Sequence, residues 1–316
     1  MVEAVREMAK KHLKEVELLL GWTEGPDALH VTPLVLCSDK EVDRLTWNPF
    51  CSINLAGYLY ELKGRRIGIF AKGCDSRSIV QLINEGLIKR EEVVVFGLPC
   101  KGCVDVKKLS KELKGEEVEA VSFDGDEVVV QTKNKKLTLP FKDLVFDKCI
   151  GCPYPTPLLY DYLVGKPLPP QGTHEGLNER TKRIEALPPE ERLEFWKSEL
   201  ERCIRCYACR NSCPLCVCKD FCSAESREPL WISHAHGIKE KWLWQVFHVL
   251  HVAGRCTGCG ECERACPVGI PLLTIRHMAN NVIKDLFDYE AGIKLGEKPP
   301  LLTYSVLEPK IEEEKW

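Results

Sequence analysis

Two stretches of the chain repeat one cysteine pattern. Cys203, Cys206, Cys209 and Cys213, followed by Pro214, are matched by Cys256, Cys259, Cys262 and Cys266, followed by Pro267. Each reads C-x2-C-x2-C-x3-C-P, a spacing with which short loops hold cubane iron–sulfur clusters. Three thiolates on one tight loop reach three corners of a cube. The fourth leaves on a short helix and is aimed at the neighbouring cube. The expected ligand sets are therefore crossed: Cys203, Cys206, Cys209 and Cys266 for one [4Fe–4S] cluster, and Cys256, Cys259, Cys262 and Cys213 for the other. A tetrahedral zinc site needs four ligands and commonly takes them as two separated pairs, so the doubled pattern favours clusters. The implied chemistry is electron transfer.

Composition narrows the setting. The 316 residues suffice for about two domains. Eighteen Cys demand either a disulfide framework or metal sites. The N-terminal stretch has no apolar segment leading to a small-residue cleavage site, which argues against a secretory signal. No run of about 18 apolar residues predicts a transmembrane helix. The chain is therefore expected in the cytoplasm, where thiols stay reduced and clustered Cys read as metal ligands. So many oxygen-labile sites imply an anaerobic or microaerobic host. A net charge of −3 gives no support for a nucleic-acid partner.

Apolar spacing over residues 2–20, with Val2, Val5, Ala9, Leu13, Val16 and Leu20, predicts an amphipathic helix. Residues 52–62 also read as helical. Beyond them the pattern becomes strand (66–70), helix (76–85), strand (92–96) and a further helix, a βαβ arrangement that favours a parallel sheet. Loops at the C-terminal ends of such strands carry function, and Cys74 and Cys100 both sit there. Residues 118–123 and 127–132 flank Asp124 and Gly125 as a hairpin, and 136–140 adds a third strand. The Pro-, Gly- and charge-rich stretch 165–190 is the linker candidate, followed by a helix from Pro189 to Arg202. An aromatic helix around Trp242, Trp244 and Phe247 precedes the second run. A long helix over 271–288 carries Leu272, Ile275, Met278, Val282 and Leu286 on one stripe. The tail from Gly292 is either loose or a clamp on a partner. The organisation predicted is an α/β domain over 1–165 with a mostly parallel sheet plus a hairpin. A linker and helix (166–200), a mainly α two-cluster domain (201–290) and an extended tail (291–316) follow.

Ten Cys lie outside the two runs. Cys74, Cys100, Cys149 and Cys152 are the most suggestive set, open to a third [4Fe–4S] cluster or a structural zinc; Cys103 could replace a member. The competing reading is that Cys74 and Cys100 are small buried hydrophobes. Cys216, Cys218 and Cys222 form a further candidate site: a third or fourth cluster would need one more ligand, such as Cys37 or Cys51, and the alternative is that one of the three substitutes for Cys213. Alone, Cys37 and Cys51 read as core residues. His234 with His236, and His248 with His251, lack a matched carboxylate and read as packed or hydrogen-bonded. Lys72 and Arg77 flank a strand-to-helix loop that could hold a flavin phosphate, against the plainer reading of Asp75 or Ser76 as a helix cap.

The segment from Ala71 to Arg77, with Cys100 after Gly97, Leu98 and Pro99, and the run from Lys148 to Cys152, resembles the beta-subunit family of deazaflavin-coenzyme-reducing hydrogenases and formate dehydrogenases. The resemblance covers roughly residues 50–165. The C-terminal half is similar to the two-cluster ferredoxin module. Together they look like iron–sulfur subunits that accompany formate dehydrogenase, hydrogenase or heterodisulfide-reductase-like partners in anaerobes. The family implies flavin, as FAD, in some members. In its deazaflavin-reducing members the ferredoxin segment is expected to precede the core domain, the reverse of the order here. No Cys-Cys-Gly motif of disulfide-reducing subunits is present. The function expected is electron relay within a larger redox complex, with no bond-breaking chemistry of its own. The alternatives are a flavin- or deazaflavin-dependent oxidoreductase subunit with its pocket near Cys74 and Cys100, and a zinc-stabilised interaction protein.

Overall fold

The computed structural model describes residues 1–218, 221–223, 231–233 and 235–304. Helix α1 (Val2–His12) buries Val5 and Ala9 and carries Lys10 and Lys11 in its last turn, cations that suit a helix C-terminus. The helix does not continue to residue 20. Leu18–Glu24 is strand β1, with Leu18, Leu19, Leu20 and Trp22 all buried. A run buried on both faces has no helical or strand period to read, which is why helical spacing misled here.

β2 (Val31–Leu36) pairs antiparallel with β1. β3 (Ile67–Ala71) joins the other side of β1 in parallel, and β4 (Val93–Gly97) joins β3 in parallel. The short β8 (Tyr162–Leu163) closes the far edge, giving the order β2-β1-β3-β4-β8. Every residue of β3 and β4 is buried. Phe70 and Phe96, side by side in the register, meet at 5.3 Å. Truncating either to Ala would cost about 3–5 kcal/mol. The expected βαβ unit is thus present, with α2 (Gly73–Asn84) between the strands and α3 (Val106–Leu113) after them. Residues 52–62 form only a short 3-10 turn at Leu55–Tyr58.

The hairpin forms as expected. β5 (Val118–Asp124) and β6 (Glu127–Thr132) turn at Asp124 and Glu127, and β7 (Lys136–Pro140) makes the third antiparallel strand. Val128 and Val130 are buried against the main core. A single helical turn, α4 (Phe141–Leu144), follows.

The stretch read as a linker contains a helix, α5 (Glu175–Glu185). Its Arg180 donates to Asp147 at 2.9 Å and to Glu263 at 2.9 Å, tying the cysteine loop of the first half to the second run. α6 (Pro189–Glu201) leads into the first run, whose last Cys is delivered by α7 (Ala208–Asn211). α8 (Ile238–Val252), α9 (Glu261–Arg264) and α10 (Leu272–Phe287) complete the helical half. The α10 stripe is only partly an inner face: Val282 and Leu286 are exposed, while Arg276 and Ile283 are buried. Residues 289–296 are not loose. Arg77 donates to the Ala291 carbonyl at 2.8 Å, Gly292 donates to Gln81 at 3.0 Å, and Asn84 donates to the Lys294 carbonyl at 2.9 Å. The clamp therefore closes on α2 of the same chain.

Candidate iron–sulfur sites

The two runs take the same backbone path. Arg205 and Tyr207 have positive φ of 52° and 58°, and their counterparts Gly258 and Gly260 have 69° and 76°. Left-handed backbone at both positions turns each loop sharply enough to aim three sulfurs inward. Glycine adopts it freely, whereas Arg205 and Tyr207 carry about 1–2 kcal/mol each. Their side chains offset that cost. Arg205 donates to the Ser233 and Ala235 carbonyls, each at 2.6 Å, and to the Tyr207 hydroxyl at 2.9 Å. Tyr207 packs edge-on against Trp244 at 5.1 Å.

Cys203, Cys206, Cys209 and Cys266 line one cavity, walled by Trp244, Ile270 and Leu272. The fourth member comes from the other run, as the crossed pattern requires. On the other side, burial and then the neighbouring Cys213 push the Cys259 thiol up. Burial lifts Cys262 to about 12 against the opposing pull of Arg276, with Cys256 and Cys213 adding to the rise. So Cys213 lies among the sulfurs of the second run.

The α/β half brings its own set together. The backbones of β3 and β4 end side by side, where Leu98 donates to the Ala71 carbonyl at 2.8 Å. Cys74, Cys100, Cys103, Cys149 and Cys152 line one cavity at those strand ends. Cys100 and Cys103 sulfurs lie 4.0 Å apart, and the Cys103 amide donates to the Cys149 sulfur at 3.5 Å. Cys103 therefore belongs to the group rather than standing outside it. Gly73 is required here, because a side chain would strike the Tyr154 carbonyl and push the 149–154 loop away. Burial, with Cys103 next, raises Cys149 to about 12.

The other candidates divide. The Cys216 sulfur lies 3.2 Å from His248 Nε2. Arg276 Nη2 lies 2.8 Å from His248 Nδ1 and 3.1 Å from its Nε2, so the guanidinium donates to the imidazole ring. His248 also stacks on Trp244 at 4.7 Å, which makes it a packed, hydrogen-bonded residue, as expected. Cys222 packs against the core that carries Cys203, Cys209 and Cys266, and Cys218 is exposed, so the three do not meet at one point. Neither Cys37 nor Cys51 joins them. Cys37 is exposed, and buried Cys51 contacts Thr46, Asn48 and Cys103. His234 lies outside the described residues.

Lys72 does not face an open anion site. Its ammonium pairs with Asp75 at 2.8 Å, donates to the Ile53 carbonyl at 3.1 Å and sits 4.2 Å above the Trp22 ring. Asp75 in turn caps α2 by accepting from the Lys72 amide at 2.9 Å. Arg77 pairs with Glu290 at 2.8 Å and stacks over Tyr154 at 4.5 Å. It also lines a polar cavity with His174, His277, Asn280 and Lys284, between the halves of the molecule.

The donor sets fit iron–sulfur clusters. Among the described residues no three His, Cys, Asp or Glu side chains close around a single ion, and the sulfurs line wider spaces instead. Buried Arg276 lies close to Cys262, Cys213, Cys256 and Cys216, and its Nε has no hydrogen-bond partner among the described residues. A buried cation with an idle donor beside a ring of sulfurs suits an anionic group held there. Thiols pushed so high lose their protons only against strong positive charge, which bound iron provides.

Comparison with known proteins agrees. Residues 199–270 match the 4Fe-4S dicluster domain family. The chain is 25% identical to the F420-dependent formate dehydrogenase subunit beta of Methanocaldococcus jannaschii, over 91% of this chain and 90% of that protein. It is 23% identical to the F420-dependent formate dehydrogenase 1 subunit beta of Methanococcus maripaludis, over 91% of this chain and 89% of that one. A chain of the F420-reducing [NiFe] hydrogenase complex of Methanosarcina barkeri aligns at 16% identity and a TM-score of 0.38, over 63% of this chain and 84% of that chain. No helix among the described residues is long and apolar enough to cross a membrane. The resemblance that a few cysteine motifs carried thus extends over nine-tenths of the chain, and its C-terminal half carries a two-cluster iron–sulfur module.

Proposed function

We propose that this chain is the electron-relay subunit of a larger redox complex, of the formate dehydrogenase, hydrogenase or heterodisulfide-reductase type, working in the cytoplasm. The observation that carries the reading is the crossed gathering of Cys266 with the first run and Cys213 with the second. Bound clusters would accept and pass on single electrons. The protein's part is to bury the sulfurs, shape the loops and place charge. Cys203, Cys206, Cys209 and Cys266 would hold one cluster, and Cys256, Cys259, Cys262 and Cys213 a second. A third would take its ligands from Cys74, Cys100, Cys103, Cys149 and Cys152. Purification without oxygen, followed by iron and acid-labile sulfide analysis, tests this. About twelve irons per chain are expected for three clusters and about eight for two. Zinc without sulfide would overturn the relay.

A second reading has one observation in its favour. The polar cavity lined by Arg77, His174, His277 and Lys284 shares Arg77 and His174 with the N-terminal cysteine cavity. Stoichiometric FAD in the anaerobically purified protein, with reduction of a deazaflavin coenzyme, would make this chain a catalytic beta subunit rather than a relay alone.

A further inference from the structure

Lys148 stands where the two halves of the molecule meet. It precedes Cys149 in sequence and lines the cavity of Cys74, Cys100, Cys103, Cys149 and Cys152. Its ammonium crosses to the other half and donates to the Cys259 carbonyl. Gly260 makes the crossing possible: a Cβ there would lie 2.9 Å from Lys148 Cδ.

The charge on Lys148 is left for the sulfurs. Nearby carboxylates are already taken, Glu261 by Arg264 at 2.8 Å and Asp75 by Lys72 at 2.8 Å. Among the described residues none forms an ion pair with Lys148. A cation shared by two electron-carrying sites favours the reduced, more negative state of each, and does so strongly where water is scarce.

We propose that Lys148 is a positioning residue that raises the reduction potentials of the N-terminal site and of the Cys256/Cys259/Cys262/Cys213 site together, and so keeps the two matched for electron exchange. The inference rests on the relay reading. The exchange moves one electron, oxidising one site by one unit and reducing the other by one. No bond forms or breaks, and no proton leaves.

The test is an anaerobic redox titration of the full chain with dithionite, followed by electron paramagnetic resonance, on wild type, Lys148→Met, Lys148→Gln, Lys148→Arg and the exposed control Lys142→Met. Met and Gln should each shift the reduction equilibrium of both sites at least tenfold toward the oxidised form, about 59 mV for one electron. Arg should restore both, while the Cys203/Cys206/Cys209/Cys266 signal stays put in every variant. Iron lost with Met and Gln but kept with Arg also supports a charge requirement. Full iron with both potentials unmoved overturns the proposal, as does loss of iron in all three variants, which would mean a steric role. Wild type without cluster signals is a separate result, and would sink the relay reading itself.

Discussion

The two cysteine-bearing regions reach similar sulfur-lined cavities by opposite routes. In the C-terminal half, most of each set comes from one short loop. Matched left-handed residues, Arg205 and Tyr207 against Gly258 and Gly260, put the same turns at the same places in the two loops. In the α/β half, Cys74, Cys100, Cys103, Cys149 and Cys152 come from three loops, and the sheet does the gathering. A loop-built site depends on local backbone turns. A sheet-built site depends on the whole core beneath it. The first should therefore fail piecemeal and the second as a unit with its domain.

The sharpest way to break that contrast is to remove one sulfur from each region. On the three-cluster proposal, Cys259→Ala should cost about four of roughly twelve irons and leave the N-terminal signal intact. Cys149→Ala should remove only the N-terminal cluster. Loss of every cluster from either change would show that the regions load as one, and the contrast would fall.

Next in size is the bracket between them. Arg180→Ala leaves Asp147 and Glu263 without their shared guanidinium, and should lower stability by about 2–3 kcal/mol in anaerobic denaturant titration. The drop should come with earlier release of the N-terminal cluster than of the other two.

A pH dependence follows from His174, in the cavity between the halves. Burial, then Arg77, holds its pKa down to about 4. Between about 4 and its ordinary value near 6.5, the unfolded chain binds a proton that the folded one does not. Stability is complete above that window and falls with pH inside it, by about 2–3 kcal/mol at its foot. Thermal midpoints of wild type and His174→Gln should converge as pH drops from 7 to 4.5; parallel curves would remove His174 from the account.

The smallest effects test the loop geometry itself. Gly258→Ala meets nothing within 4 Å and should cost only the left-handed backbone, about 1 kcal/mol. Gly260→Ala carries the same backbone cost and also displaces Lys148, so it should be the more damaging of the two. Equal effects would mean that Lys148 moves aside freely.

Much of this was legible along the chain, for a physical reason. The paired runs are local: the turns of each loop and the spacing of its sulfurs are set within a dozen residues, which is why the pattern shows in the sequence. The hairpin at Asp124 and Gly125 was likewise readable, since turn chemistry is local. Leu18–Glu24 was not, because a strand buried on both faces leaves no period to distinguish it from a helix. Helix α5 hid in a stretch whose Pro and Gly read as linker.

What the sequence determined alone was that this chain gathers sulfur in two matched loops, and with it the class of chemistry. What only the tertiary structure decided was which distant groups share a site. It added Cys103 to the N-terminal set, took Cys37 and Cys51 out of the search for further ligands, and turned Lys72 inward to Asp75. It also set Arg276 and Lys148 beside sulfurs far from them in sequence. Thiolate spacing on a loop follows from bond geometry over a few residues. The placing of a buried charge follows from the packing of whole domains, where water is excluded and a single ammonium acts on both sides of an interface.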